Sequence, residues 1–209
     1  MSEPTAESPP AWTSILARRR AWQAFSAYVA FSLLLPLVSV PHHHNVFLAL
    51  MLVILPTALF MLLQLWLAWS LVDLRPRPSV CGLAMAGALA LWLLALFLVR
   101  PHHGGTHSLN LFLFLLRPLL MGLGITLACT FFGILLSRIV REPNVLLPVA
   151  LAAMPVDYLG AMTSNGFTQN MVKQNPGIVQ AVSVPVPVVH GLHLFPLIGP
   201  GDALFMAFF

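Results

Sequence analysis

Long unbroken apolar runs dominate this chain, with little of the short alternation that marks half-buried strands. They fall at roughly 23–40, 46–72, 79–99, 110–140, 144–163 and 190–209. Most reach the ~20 residues that a helix needs to cross a bilayer. The pattern predicts an all-α, polytopic membrane protein of about six transmembrane helices. The run over 110–140 is too long for one crossing, and Arg117-Pro118 near its start marks where the spanning part should begin. Short connections carry the turn residues: Pro41 to Asn45, Arg75 to Pro78, Pro101 to His107 and Arg141 to Asn144.

Composition sharpens this picture. Of 209 residues, 59% are hydrophobic and 8% charged, with a mean hydropathy of +0.90. A soluble domain of this size cannot hide so much apolar surface, so the expected solvent is lipid. The net charge of +4 does not point to nucleic acid, because the arginines flank apolar runs as membrane-edge residues do. Met1 to Ala21 is polar and proline-bearing and reads as a disordered tail, leaving 22–209 as one transmembrane domain. Arg18-Arg19-Arg20 followed by a long apolar run reads as an uncleaved signal anchor, since no small-residue cleavage site follows. Arg18–Arg20, Arg75 with Arg77, and Arg138 with Arg141 fall on one side if the helices alternate, while Arg100 and Lys173 fall on the other. The positive-inside rule then puts the N-terminus in the cytoplasm and the 164–190 connection outside. Cys81 and Cys129 lie in separate apolar runs and read as small buried hydrophobes.

Charge also picks out candidate chemistry. Of the six acidic residues, Glu3 and Glu7 lie in the tail, and Asp73 and Glu142 lie at segment ends beside arginines. Only Asp157 and Asp202 fall within spans. A carboxylate there costs about 2.5–3.5 kcal/mol to insert, so each marks a candidate functional site. At 1.5 Å per residue the two lie at depths of roughly 9 and 14 Å from the connection between their segments, 144–163 and 190–209. Antiparallel neighbours at those depths can pair. Two carboxylates in contact share a proton; one then serves as base toward a water while the other polarises a carbonyl oxygen. Hydrolysis in a membrane also requires a substrate whose helix has been opened. Gly199, Pro200 and Gly201, just ahead of Asp202, expose backbone and let another chain approach. Val182 to Val189 has strand-like composition with prolines at 185 and 187, suiting either an edge that pairs with an unwound substrate or an extended linker.

Asp157 late in one apolar segment, followed after a polar connection by Gly199-Pro200-Gly201-Asp202, resembles the GxGD intramembrane aspartic proteases, the presenilin and signal peptide peptidase group. The likeness runs from about Pro155 to Phe209 and includes Gly166-Phe167-Thr168-Gln169-Asn170-Met171-Val172. It implies Asp157 and Asp202 as a catalytic dyad, Gly199 and Gly201 as motif glycines, transmembrane protein substrates, and no metal or other cofactor. The family's tyrosine precedes its first aspartate; here Val156 precedes Asp157 and Tyr158 follows it. Seven residues follow Asp202 in this sequence, so the expectation is a C-terminally truncated member without the helix that bears the family's Pro-Ala-Leu motif. The outside placement of the connecting loop is similar to signal peptide peptidase rather than presenilin.

Two rival readings stand beside this one. Histidines group at 42–44, at 102, 103 and 107, and at 190 and 193, all near one membrane face. His190-x-x-His193 has a spacing compatible with a metal ion, which suggests a proton- or metal-coupled transporter. The other rival is an inactive scaffold that retains a protease-like pair. Gly122, Gly124, Ala128 and Gly133 predict close helix packing under any of the three, and Gln64 and Arg117 are polar residues inside or at the edge of spans.

Overall fold

The computed structural model describes residues 11–38, 46–97, 107–139, 148, 151, 167–187 and 197–199. Helix α1 is Ala11–Leu34 and runs into a 3-10 turn over Leu35–Leu37; α2 is Val46–Asp73, α3 Pro78–Phe97 and α4 His107–Ile139. Two short helices follow, α5 at Phe167–Gln174 and α6 at Pro176–Val182, and then two short strands, β1 at Val184–Pro185 and β2 at Leu197–Ile198.

The apolar runs become helices close to their expected limits. Three helices among the described residues are long and apolar enough to cross a membrane: Leu50–Asp73, Pro78–Phe97 and Leu115–Ile139. The helix that holds the last of these continues without a break from His107 through Pro118 to Ile139. Helix α1 is not among the three, because Arg18–Arg20 interrupt it and its apolar part from Ala21 to Leu34 falls short of the ~20 residues required. The remaining expected spans, 144–163 and 190–209, lie outside the described residues except for Pro148, Leu151 and 197–199.

Three differences from the sequence expectation have physical causes. The stretch from Ala11 to Ala21, expected as the end of a disordered tail, is helical. Its Ala, Leu and Arg residues favour helix once the chain is past Pro9-Pro10, and what begins near residue 21 is packing, Ala21 being the first buried side chain described. Helix α1 then stops at Leu34, before the expected 40, because Pro36 opens a 3-10 turn there. The third difference is in the last run, where Leu197–Ile198 is strand rather than helix. Gly199 precedes Pro200, which biases it away from helical backbone, and Ile198 is β-branched. The fold is thus helical with a small antiparallel ladder, in which Val184 pairs with Ile198 and Pro185 with Leu197.

Helix α4 is the centre of the packing. Met121 through Thr126 are buried without a break, so α4 is covered on all sides at that level, whereas α2 and α3 expose most of their length. Glycine makes this possible. Residues 122 and 124 point to nearly opposite sides of the helix, being two steps of about 100° apart. On one side, a Cβ at Gly124 would come within 2.9 Å of Trp92 Cβ and 3.0 Å of the Ala88 carbonyl oxygen and the Trp92 nitrogen, so α3 lies against bare backbone. On the other, a Cβ at Gly122 would meet the Tyr28 hydroxyl at 3.1 Å and Val184 Cγ1 at 3.5 Å. Tyr28, Phe60, Leu67, Leu119, Leu123, Val184, Val186 and Ile198 form one cluster, which joins α1, α2, α4 and the ladder.

Several hydroxyls within the helices are satisfied locally, whereas the buried Gln64 Oε1 and Arg117 Nε have no hydrogen-bond partner among the described residues. The hydroxyls of Thr57, Ser70 and Thr130 each donate to a carbonyl one turn back, at 2.7 Å. At one end of the bundle, Arg20 of α1 lies 3.9 Å from Asp73 at the end of α2. There too, Arg138 near the end of α4 donates to the Pro76 carbonyl in the α2–α3 turn. Arg75 in that turn has φ 45°, a left-handed conformation that costs a residue bearing a Cβ about 1–2 kcal/mol. Its N–H bonds the Val72 carbonyl at 3.0 Å, closing the last turn of α2 where glycine is the usual residue. Cys81 is buried and Cys129 half-buried, and both are free thiols, as their surroundings in the sequence suggest.

The contact at Gly124 gives a direct test. Gly124→Ala is expected to destabilise the protein by about 1–3 kcal/mol, because the atoms that would have to give way include backbone of α3. Gly87→Ala, whose Cβ would meet nothing within 4 Å, is expected to be neutral or slightly stabilising. Unfolding in mixed detergent micelles compares the two; equal loss in both would contradict this packing.

Candidate functional site

The ladder that leads into Gly199 is held from three directions. Its seat is α4. Val184 has 0% exposure, Val186 is also buried, and both belong to the cluster that includes Leu119 and Leu123. Alternation along an extended chain gives Val184 and Val186 one face and Pro185 and Pro187, both half-buried, the other. The Gly122 position of α4 is where Val184, Pro185 and Tyr28 come together. A side chain there would lift the strand from the helix.

The second support comes from α6. Asn175 separates α5 from α6, Pro176 starts α6 with its fixed φ, and the Ser183 N–H returns to the Val179 carbonyl at 3.0 Å to end it. The indole nitrogen of Trp92 on α3 donates to the Ala181 carbonyl at 2.9 Å. This bond ties the last turn of α6, and with it the start of β1, to the same α3 segment that grips Gly124.

The third support is polar. The Gln64 amide nitrogen on α2 donates to Thr126 Oγ1 on α4 at 3.1 Å, the Tyr28 hydroxyl on α1 lies beside both side chains, and Gln64 Oε1 has no hydrogen-bond partner among the described residues. All three side chains are at most 1% exposed. The Gln64–Thr126 bond ties α2 to α4 beside the strand, and breaking it would leave both groups unpaired in an apolar setting. Phe60 packs against Tyr28 with ring centres 5.1 Å apart.

Of the residues singled out from the sequence, Gly199 is half-buried and directly follows β2. Asp157, Tyr158, Pro200, Gly201 and Asp202 lie outside the described residues, as do His190 and His193 of the metal alternative. Among the described residues no three His, Cys, Asp or Glu side chains come together as ligands for a metal ion. Sequence reasoning noticed Gln64 but missed Tyr28, Thr126 and Trp92 as its companions around the strand. A hydroxyl or indole N–H inside an apolar run is a signal, since each must find a partner there, but the partner's identity depends on packing across up to 98 residues.

What this arrangement offers chemically is extended backbone, buried in protein at the level of a membrane-spanning helix, directly before a glycine-proline-glycine-aspartate sequence. Irregular backbone is tolerated at that depth only when it is packed in this way. Trp92→Phe is expected to keep the ring packing while losing about 1 kcal/mol at the Ala181 carbonyl. Amide hydrogen exchange over residues 176–187 should then rise with little change elsewhere. Unchanged protection of that segment would show that the bond does not hold it.

Comparison with known protein families, curated proteins and solved structures finds no match.

Proposed function

We propose that the protein is an intramembrane aspartic endopeptidase of the GxGD type, which hydrolyses peptide bonds in transmembrane segments with Asp157 and Asp202 as its dyad. The observation that carries this is the β1–β2 ladder, seated on α4 at Gly122 with Ile198 leading straight into Gly199. A substrate helix hides its carbonyls in its own hydrogen bonds, so a protease in lipid has to hold its substrate unwound. An extended pair of strands beside the motif provides backbone groups for an unwound chain to pair with, in the manner of strand addition. Asp202 comes four residues after Ile198, a reach of at most about 14 Å, so the second aspartate is tethered close to this seat.

In this reading the dyad shares one proton, and its ionised member takes a proton from water as that water attacks the scissile carbonyl. The other member donates a hydrogen bond to the carbonyl oxygen as charge develops there. Gly199 and Gly201 let the substrate backbone come near. In this reading the chain crosses the bilayer repeatedly, α2, α3 and α4 among the crossings, with the end that carries Arg20, Arg75, Arg77 and Arg138 in the cytoplasm together with the N-terminus. Its partners are transmembrane protein or peptide substrates and the lipid itself.

The test is cleavage of a reporter transmembrane helix by the protein in proteoliposomes. Asp157→Ala and Asp202→Ala are each expected to lower the rate by at least about 10²-fold, since each removes an acid–base partner. Cleavage at the parent rate in either variant would rule out the dyad.

A further inference from the structure

The end of the bundle opposite the Pro36 turn gathers charge from three parts of the chain. Arg18, Arg19 and Arg20 come from α1, Arg75 and Arg77 from the α2–α3 turn, and Arg138 from α4. Two contacts assemble them: Arg20 meets Asp73, and Arg138 donates to the Pro76 carbonyl between Arg75 and Arg77. Among the described residues six arginines stand at this end with Asp73 as the one described carboxylate. Arg18, Arg19, Arg75 and Arg77 are exposed, and none of them ion-pairs with Asp73.

Two tryptophans show where this end lies relative to lipid. Trp22 is two residues from Arg20 and 64% exposed, and Trp69 is one turn before Asp73 and 67% exposed. Exposed tryptophans at the ends of apolar helices lie at headgroup level, where an apolar ring and a polar N–H are both accommodated. The arginines stand immediately beyond those tryptophans, where a bilayer spanned by α2 and α3 would place its phosphates. Arg75 holds its place in a left-handed conformation that glycine would adopt without strain. Strain kept at an exposed charged residue marks a position where the side chain has a use.

We infer that this rim, with Arg75 and Arg77 on either side of Pro76, binds the phosphate of an anionic phospholipid headgroup. Guanidinium groups match a phosphate with paired N–H donors, and the adjoining apolar surface around Trp69 accepts the acyl chains. Lipid is favoured over a soluble anion because the charge adjoins an exposed apolar belt rather than a polar cleft. The inference requires only that the helices lie in a bilayer and is independent of proteolysis.

The experiment is a lipid titration of the detergent-purified full chain followed by native mass spectrometry. Phosphatidylglycerol is compared with phosphatidylcholine of the same acyl chains. The parent is expected to bind the anionic lipid at least tenfold more tightly. Each arginine removed should weaken that binding by about fivefold, so Arg75→Gly with Arg77→Gln should abolish most of the preference and leave phosphatidylcholine unaffected. Arg75→Gly relieves the backbone at that position, so the variant is expected to melt no lower than the parent. Arg75→Lys with Arg77→Lys should keep part of the preference. Equal affinity for the two lipids in the parent overturns the proposal, as does an undiminished preference in the Gly/Gln variant. Displacement of phosphatidylglycerol by millimolar inorganic phosphate, with no further effect of the acyl chains, overturns it in favour of a site for free phosphate.

Discussion

Backbone that leaves helical geometry inside an apolar environment must have its polar groups covered by protein, and the rest of this structure follows from how α4 meets that constraint. The β1–β2 ladder rests on α4 because Gly122 offers no side chain to hold it off. Gly124, on the opposite side of the same helix, lets α3 approach to backbone contact. From α3, Trp92 then reaches the Ala181 carbonyl and fixes the turn that feeds β1. Two glycines two residues apart thereby connect a helix–helix contact to the placement of a strand. The buried polar group of Tyr28, Gln64 and Thr126, with its Gln64–Thr126 bond, closes the third side.

This arrangement gives the glycine-proline-glycine-aspartate sequence a context that the motif lacks alone. Glycines before an aspartate occur in many turns. Here they follow a strand that is buried against α4 and paired with a second extended segment. That combination suits a site where another chain must be held extended while a bond in it is hydrolysed. The opposite end of the bundle has a different character, with exposed arginines above a tryptophan belt and Arg138 clamping the turn beneath them. The two proposed roles are separate in their chemistry: one is to receive backbone, the other phosphate.

Much of the helical frame was legible in the sequence. Helices α2, α3 and α4 occupy Val46–Asp73, Pro78–Phe97 and His107–Ile139, within a few residues of the apolar runs, because lipid-facing helices are apolar all round and their ends are marked by proline and arginine. Helix α1 was less legible at its start, where Ala, Leu and Arg extend a helix beyond the apolar part. The strand character of Val184–Pro185 was open in the sequence between an edge and a linker. Its partner Leu197–Ile198 could not be read, because register between segments this far apart is decided by packing on α4 rather than by local composition. Helices α5 and α6 went unseen within the 164–190 connection for a similar reason: they are short, and their apolar residues give no long run. Asp157 and Asp202 stood out as lone carboxylates in apolar surroundings, a signal of charge and depth that carries no information about their separation.

That separation is therefore the quantity to measure. In a background with Cys81→Ser and Cys129→Ser, the pair Asp157→Cys and Asp202→Cys is treated in the bilayer with a short bifunctional thiol reagent. The pair Val184→Cys and Ile198→Cys, which faces across the ladder, serves as the positive control. A catalytic dyad predicts rapid intramolecular cross-linking in both pairs. Cross-linking of the ladder pair with none between positions 157 and 202 would contradict it.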